Sequence, residues 1–80
     1  MRVAVTQDDI DRGEMGHCAT CPVARALERA TGKPWYVGQS WAWLALPPET
    51  QIALPPEVTA FILAFDHGEK VAPFSFDVSV

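Results

Sequence analysis

Positive charge is scarce in this chain: six lysines and arginines stand against ten aspartates and glutamates, for a formal net charge of −4. Arg25, Arg29 and Lys33 share one short segment, while Arg2, Arg12 and Lys70 are scattered. So few cations cannot hold a phosphate backbone through counterion release, and direct nucleic-acid binding is not expected. Long apolar runs are missing as well. No stretch approaches the roughly 18–20 residues that cross a bilayer, so no membrane association is expected. The opening Met1-Arg2-Val3-Ala4-Val5-Thr6-Gln7 runs straight into an acidic segment, without a signal-peptide pattern, which points to the cytoplasm. Phosphate-cradling G-x-G-x-x-G and P-loop motifs are absent, as is a glycine-framed nucleophile turn. Two histidines and two cysteines leave few side chains for nucleophilic, redox or metal chemistry. A non-enzymatic role without a cofactor is therefore the expectation.

Apolar and aromatic residues are present in surplus. Of 80 residues 49% are hydrophobic, and four phenylalanines, three tryptophans and one tyrosine are among them. A chain of this size forms one domain, residues 1–80, and buries only about 60% of its unfolded surface. Each buried aromatic supplies about 1.5–3 kcal/mol of transfer free energy. The apolar excess also leaves room for an exposed patch, and hence for a protein partner or a homodimer.

Periodicity predicts the elements in order. Met1, Val3 and Val5 alternate with Arg2, Ala4 and Thr6, as in a strand. Thr6 stands three residues before Asp9, close to a capping box, and predicts a short helix over 7–12 that ends at Gly13. Thr20 as N-cap and Pro22 in the first turn predict a second helix, with Val23, Leu27 and Ala30 in one stripe joined by Ala24 and Ala26. Arg25, Glu28 and Arg29 fall on its outer side, and Gly32 is its left-handed stop. From Trp35 to Leu46 aromatic and β-branched residues predict strand, broken at Gly38-Gln39-Ser40 into two. Trp35, Val37, Trp41 and Trp43 share one parity there, and Tyr36, Ala42, Leu44 and Leu46 the other. A turn at Pro47-Pro48-Glu49-Thr50 leads to a short strand from Gln51 to Leu54. Val58, Phe61, Ile62 and Phe65 then mark a core-facing helix that opens at Pro55-Pro56-Glu57 and stops near His67-Gly68. Phe74, Phe76, Val78 and Val80 alternate with Ser75, Asp77 and Ser79 in a last strand. The fold class is α+β: a small, three- to five-stranded, largely antiparallel sheet with two main helices packed on one face.

Reactive side chains crowd together in one place, Gly16-His17-Cys18-Ala19-Thr20-Cys21-Pro22. A C-x-x-C at a helix N-terminus can lower a thiol pKa, so thiol redox chemistry is one alternative. Zinc is another, with His17 joining Cys18 and Cys21, although the motif supplies only two of the four ligands a structural site needs. The simpler reading makes Cys18 and Cys21 small buried hydrophobes that pin the incoming loop. Asp8, Asp9 and Asp11, with Glu14, give the first helix a negative, solvated face whose pKa values have no evident reason to move. Trp35, Trp41 and Trp43 exceed what so small a core encloses, and one or two of them are candidates for a protein–protein contact.

Two passages resemble a family of short bacteriophage and prophage proteins. Gly16-His17-Cys18-Ala19-Thr20-Cys21-Pro22-Val23-Ala24-Arg25-Ala26-Leu27 is similar to its G-x-C-x-x-C-P-[VI]-A-x-A-[LI] pattern. Leu54-Pro55-Pro56-Glu57-Val58, with Phe61-Ile62, Phe65-Asp66, Gly68 and Pro73-Phe74-Ser75-Phe76, is similar to its L-P-x-x-[VA]-x-x-F-I-x-x-[FY]-D-x-G…P-F-x-F ending. Together they cover about half the chain, and the family brings no assigned catalytic residues. The resemblance implies a small accessory protein, in the cytoplasm of a host cell, that acts by binding a host or defence protein. The expected interface joins Trp35, Trp41 and Trp43 to Asp8, Asp9 and Asp11, and the expected action is inhibition of a defence or nucleic-acid-processing complex. A thiol-redox or zinc protein and a structural, self-assembling component are the rivals, the latter suggested by the edge-like strand over 74–80.

Overall fold

Alternating apolar residues start the chain as β1 (Arg2–Val5), in which Val3 and Val5 are buried and Arg2 and Ala4 exposed. A computed structural model of the chain describes residues 1–47 and 50–79. Pro48 and Glu49 of the expected turn, and Val80 of the expected last strand, lie outside the described residues. The elements that follow are α1 (Gln7–Arg12), α2 (Pro22–Thr31), β2 (Trp35–Val37), β3 (Trp41–Leu44), β4 (Gln51–Ala53), α3 (Pro56–Asp66) and β5 (Phe74–Asp77). The architecture is α+β, and among the described residues five strands, all antiparallel, divide into a two-stranded sheet β1-β5 and a three-stranded sheet β2-β3-β4.

The helix boundaries follow from local chemistry. At α1 the capping box forms in full: the Asp9 N–H donates to Thr6 Oγ1 (3.2 Å) and the Thr6 N–H donates to Asp9 Oδ2 (2.9 Å). The N-cap of α2 is Cys21 rather than Thr20, and its Sγ accepts the Ala24 N–H at 3.4 Å. Pro22 is the reason: it occupies the first helical position, so the cap must be the residue just before it. Gly32 ends α2 at φ 73°, a left-handed conformation that glycine reaches without steric cost. Of the expected α2 stripe, Val23, Ala24, Ala26 and Leu27 are buried, whereas Ala30 lies near the end of the helix and is exposed. Glu57 lies in the first turn of α3 and His67 at its C-cap, and Val58, Phe61 and Ile62 are buried as their spacing predicts.

Parity reverses across the β2–β3 turn. Val37 pairs with Ala42, Tyr36 with Trp43 and Trp35 with Leu44. Trp35 and Val37 therefore share the inner face with Ala42 and Leu44, and Trp41 and Trp43 share the outer face with Tyr36. Simple alternation groups the three tryptophans together; a tight turn with an odd offset separates Trp35 from the other two. Helix α2 packs against both β1 and β2 and so links the two sheets. Phe61 of α3 meets Phe74 of β5, with ring centroids 4.7 Å apart, and Phe74 continues to Phe76 at 5.7 Å. Aromatic contacts of this kind add about 0.5–1.5 kcal/mol each beyond their buried area.

Candidate functional site

Trp41 and Trp43 project from β3, the central strand of its sheet, with β2 on one side and β4 on the other. Trp43 faces Tyr36 across β2 and Gln51 across β4, and Trp41 faces Ala53. All three aromatic side chains stand half in water: Tyr36 is 48% exposed, Trp41 45% and Trp43 42%. Leu46, just past β3, is 46% exposed, and a hollow of about 260 Å³ opens between Tyr36, Trp43, Leu46 and Pro47. The indole of Trp43 is placed by a close approach. A Cβ on Gly38 would sit 3.0 Å from Cζ3 and 3.2 Å from Cη2 of Trp43, so a side chain there would push the ring aside by a few tenths of an ångström. The outcome is a preformed apolar face on a strand held from both sides.

Trp35 does not belong to this face. It is 2% exposed, and its Nε1–H donates to Thr31 Oγ1 at 2.8 Å, which satisfies the polar end of a core indole. The proposed contact role for Trp35 is thereby corrected: its side chain joins β2 to the end of α2.

One acidic residue, Asp9, leaves the solvated face that the charge run predicts, while Asp8, Asp11 and Glu14 are exposed as expected. Asp9 is fully buried. Its carboxylate takes a bidentate pair from Arg29, Nη1–H to Oδ1 and Nη2–H to Oδ2, both at 2.7 Å, and Arg29 Nη2 also donates to the Ala4 carbonyl at 2.7 Å. Burial by itself would push the Asp9 carboxyl up; the Arg29 hydrogen bonds, the Thr6 N–H and the guanidinium charge outweigh it and hold Asp9 below its ordinary value. The Nε of Arg25 lies 3.7 Å from Asp9 Oδ1 and, among the described residues, is a buried side-chain polar atom without a hydrogen-bond partner. Arg25 and Arg29 thus turn toward α1 rather than outward. Asp8 is exposed and paired with Arg12 at 2.8 Å and Arg25 at 3.6 Å, and Asp11 is exposed and accepts from Gln7 Nε2 at 2.9 Å. Asp9 therefore cannot touch a partner, and α1 packs on α2 while the tryptophan strand pairs with β2 and β4. The signal that could have revealed the buried carboxylate is the pair Arg25 and Arg29, one helical turn apart.

The cysteines occupy different environments. Cys18 is an exposed free thiol, and its carbonyl accepts the Val37 N–H at 2.8 Å, tying the loop to the edge of β2. Cys21 is a buried free thiol. Burial pushes it up, the Ala24 and Val23 N–H groups pull it partly back, and the nearby Asp66 and Cys18 push it further up. A raised pKa disfavours the thiolate at Cys21, the form that exchange chemistry would need there. The expectation that both cysteines are buried holds for Cys21 and fails for Cys18, whose backbone rather than side chain pins the loop. His17 is exposed, 4.0 Å from Glu14. Beside this loop a cavity of about 140 Å³ is floored by Pro22, Val23, Val37, Phe61, Ile62 and Phe65, with Cys18, Cys21 and Asp66 also lining it. Among the described residues no three His, Cys, Asp or Glu side chains gather to hold a metal ion, and no helix is long and apolar enough to cross a membrane. No family model, curated protein or solved structure matches the chain.

Proposed function

We propose that this chain is a small accessory protein that acts by binding another protein through the outer face of its three-stranded sheet. The observation that carries this reading is the cluster of Tyr36, Trp41 and Trp43 on one face, each 42–48% exposed while the third tryptophan is enclosed. Apolar surface on a preformed strand lowers the ordering cost of association, and tryptophan and tyrosine are the residues enriched at binding hot spots. The exposed shares of the two indoles come to roughly 200 Å², worth about 5 kcal/mol if fully covered. Capture of a host defence or nucleic-acid-processing complex is the most concrete form of this role, and its support is the resemblance of the two motif passages to phage proteins. Tagged protein, with Trp41→Ala, Trp43→Ala and Tyr36→Ala variants of unchanged circular dichroism, tests the reading in affinity capture from host cells. Loss of the captured protein in the Trp variants supports it. Equal retention by all variants removes this face as the anchor.

A further inference from the structure

Among the described residues, the edge of β4 carries a row of backbone groups with no strand paired to it, and their orientation can be read from the ladder. The Leu44 N–H donates to the Thr50 carbonyl (2.7 Å) and the Leu54 N–H to the Ser40 carbonyl (2.8 Å), with Ala42 opposite Ile52 between them. In an antiparallel pair bonded and non-bonded positions alternate, so Gln51 and Ala53 turn their N–H and C=O groups away from β3. Among the described residues no strand lies on that side of β4. The other open edge of the sheet is partly covered, since the Val37 N–H of β2 is taken by Cys18.

What lies beyond β4 is a cleft of about 610 Å³ bounded by Met1, Gln51–Ala53 and residues 77–79. Its far wall has the matching phase. The Met1 amino group donates to the Val78 carbonyl (2.7 Å) and the Val78 N–H to the Met1 carbonyl (2.9 Å), so Asp77 turns its backbone groups away from β1. The Ala4 carbonyl has the same phase on β1 and is indeed turned away, to Arg29.

We infer that this cleft is a strand-addition site: an extended segment of a partner protein enters between the two sheets and pairs with Gln51 and Ala53 of β4. This deepens the proposed function and rests on the reading that the β2-β3-β4 face binds protein. Main-chain pairing supplies affinity in this mode, and alternate side chains supply specificity. Gln51 and Ala53 lie opposite Trp43 and Trp41 on the outer face, so every second side chain of the added strand continues the aromatic face. The intervening side chains point inward, toward the Ile52 side. At the cleft Asp77 is paired with Arg2 and the Met1 amino group with the Val78 carbonyl, so the overall charge of −4 acts at longer range, favouring lysine or arginine at the ends of the segment. A second copy of this chain fits less well: it repeats the same negative charge, and a folded sheet edge backed by its own layers must enter a cleft walled on both sides.

A displayed library of random eight-residue segments, selected on the immobilised full chain, tests the inference, with Ala53→Pro for counter-selection. Proline at 53 removes an outward N–H and no bond to β3, a position an edge strand tolerates. The expected result is enrichment of alternating, proline-free segments with basic ends. Their affinity falls at least tenfold in Ala53→Pro, and they slow amide exchange at Gln51 and Ala53. Should Ala53→Pro fail to fold, selected peptides N-methylated at alternate amides give the same test, because only one register of methylation abolishes binding. Absence of enrichment, or equal binding to Ala53→Pro or to both methylated registers, overturns the inference, as does a dimer in sedimentation that Ala53→Pro disperses. Loss of captured protein in Trp43→Ala with full retention in Ala53→Pro refutes the strand site and leaves the aromatic face. Loss of the segments in Ala53→Pro with capture unchanged in the Trp variants refutes the face and leaves the edge.

Discussion

Replacement of Arg29 by methionine isolates the buried ion pair between α1 and α2. It removes the two hydrogen bonds of 2.7 Å to Asp9 and a third to the Ala4 carbonyl, and leaves the Asp9 carboxylate, itself fully buried, with the Thr6 N–H as its hydrogen-bond donor. Removing one partner of a fully buried pair costs about 3–5 kcal/mol. The Arg29 side chain is 51% exposed, so water already screens its charge, and Arg25 stands 3.7 Å away to replace part of it. Discounted for both, the expected loss is about 2–3 kcal/mol. For a domain of this size that is a fall in melting temperature of roughly 8–24 °C. The pH dependence is the sharper readout. In the native protein the Asp9 pKa is lowered, so its contribution is fully present above the unfolded carboxyl value of about 4 and is lost as pH falls below it. In Arg29→Met burial acts with less opposition and raises the same pKa. The variant then gains stability as pH falls from its raised value toward about 4, while the native protein stays level. Thermal melts of both proteins between pH 7 and pH 4 should therefore converge. A constant gap across that range, or a loss no larger than that of the exposed control Asp8→Asn, would refute the buried-pair account.

Further expectations concern the loop and the aromatic face. Gly38→Ala places a methyl 3.0 Å from Trp43 Cζ3, so the indole must shift; we expect a loss of about 1 kcal/mol and a changed tryptophan emission, and an unchanged melt and spectrum would deny the close packing. Alkylation with iodoacetamide at neutral pH should label exposed Cys18 in the folded protein and buried Cys21 only after denaturation, as mass spectrometry will show; equal labelling of both would contradict their assigned environments.

Apolar periodicity carried the elements well, because the stripe of α3 and the alternation of β1 and β5 leave one face to bury. The capping box at Thr6 and the stop at Gly32 are local chemistry and were equally legible. Three features needed the tertiary structure, and one local feature, a helix cap, ran against propensity. Asp9 looks like a surface residue in an acidic helix, and only the approach of α2 brings Arg29 to it. The Cys21 cap was implied by Pro22 but hidden by the better capping propensity of Thr20. The grouping of tryptophans depended on the offset of the Gly38-Gln39-Ser40 turn, which alternation within one strand does not contain. The unused edge of β4 is a property of sheet order, and no residue pattern encodes it locally.

The central claim is that the exposed indoles are surplus to folding and serve contact. One paired measurement on Trp41→Ala/Trp43→Ala tests it: the denaturant midpoint together with retention of the captured protein. Half-exposed side chains on an outer sheet face should cost the fold about 1–2 kcal/mol at most, while binding falls by a hundredfold or more, about 3 kcal/mol. A collapse of stability in step with binding would make these residues core, and full retention of the partner would take the function elsewhere.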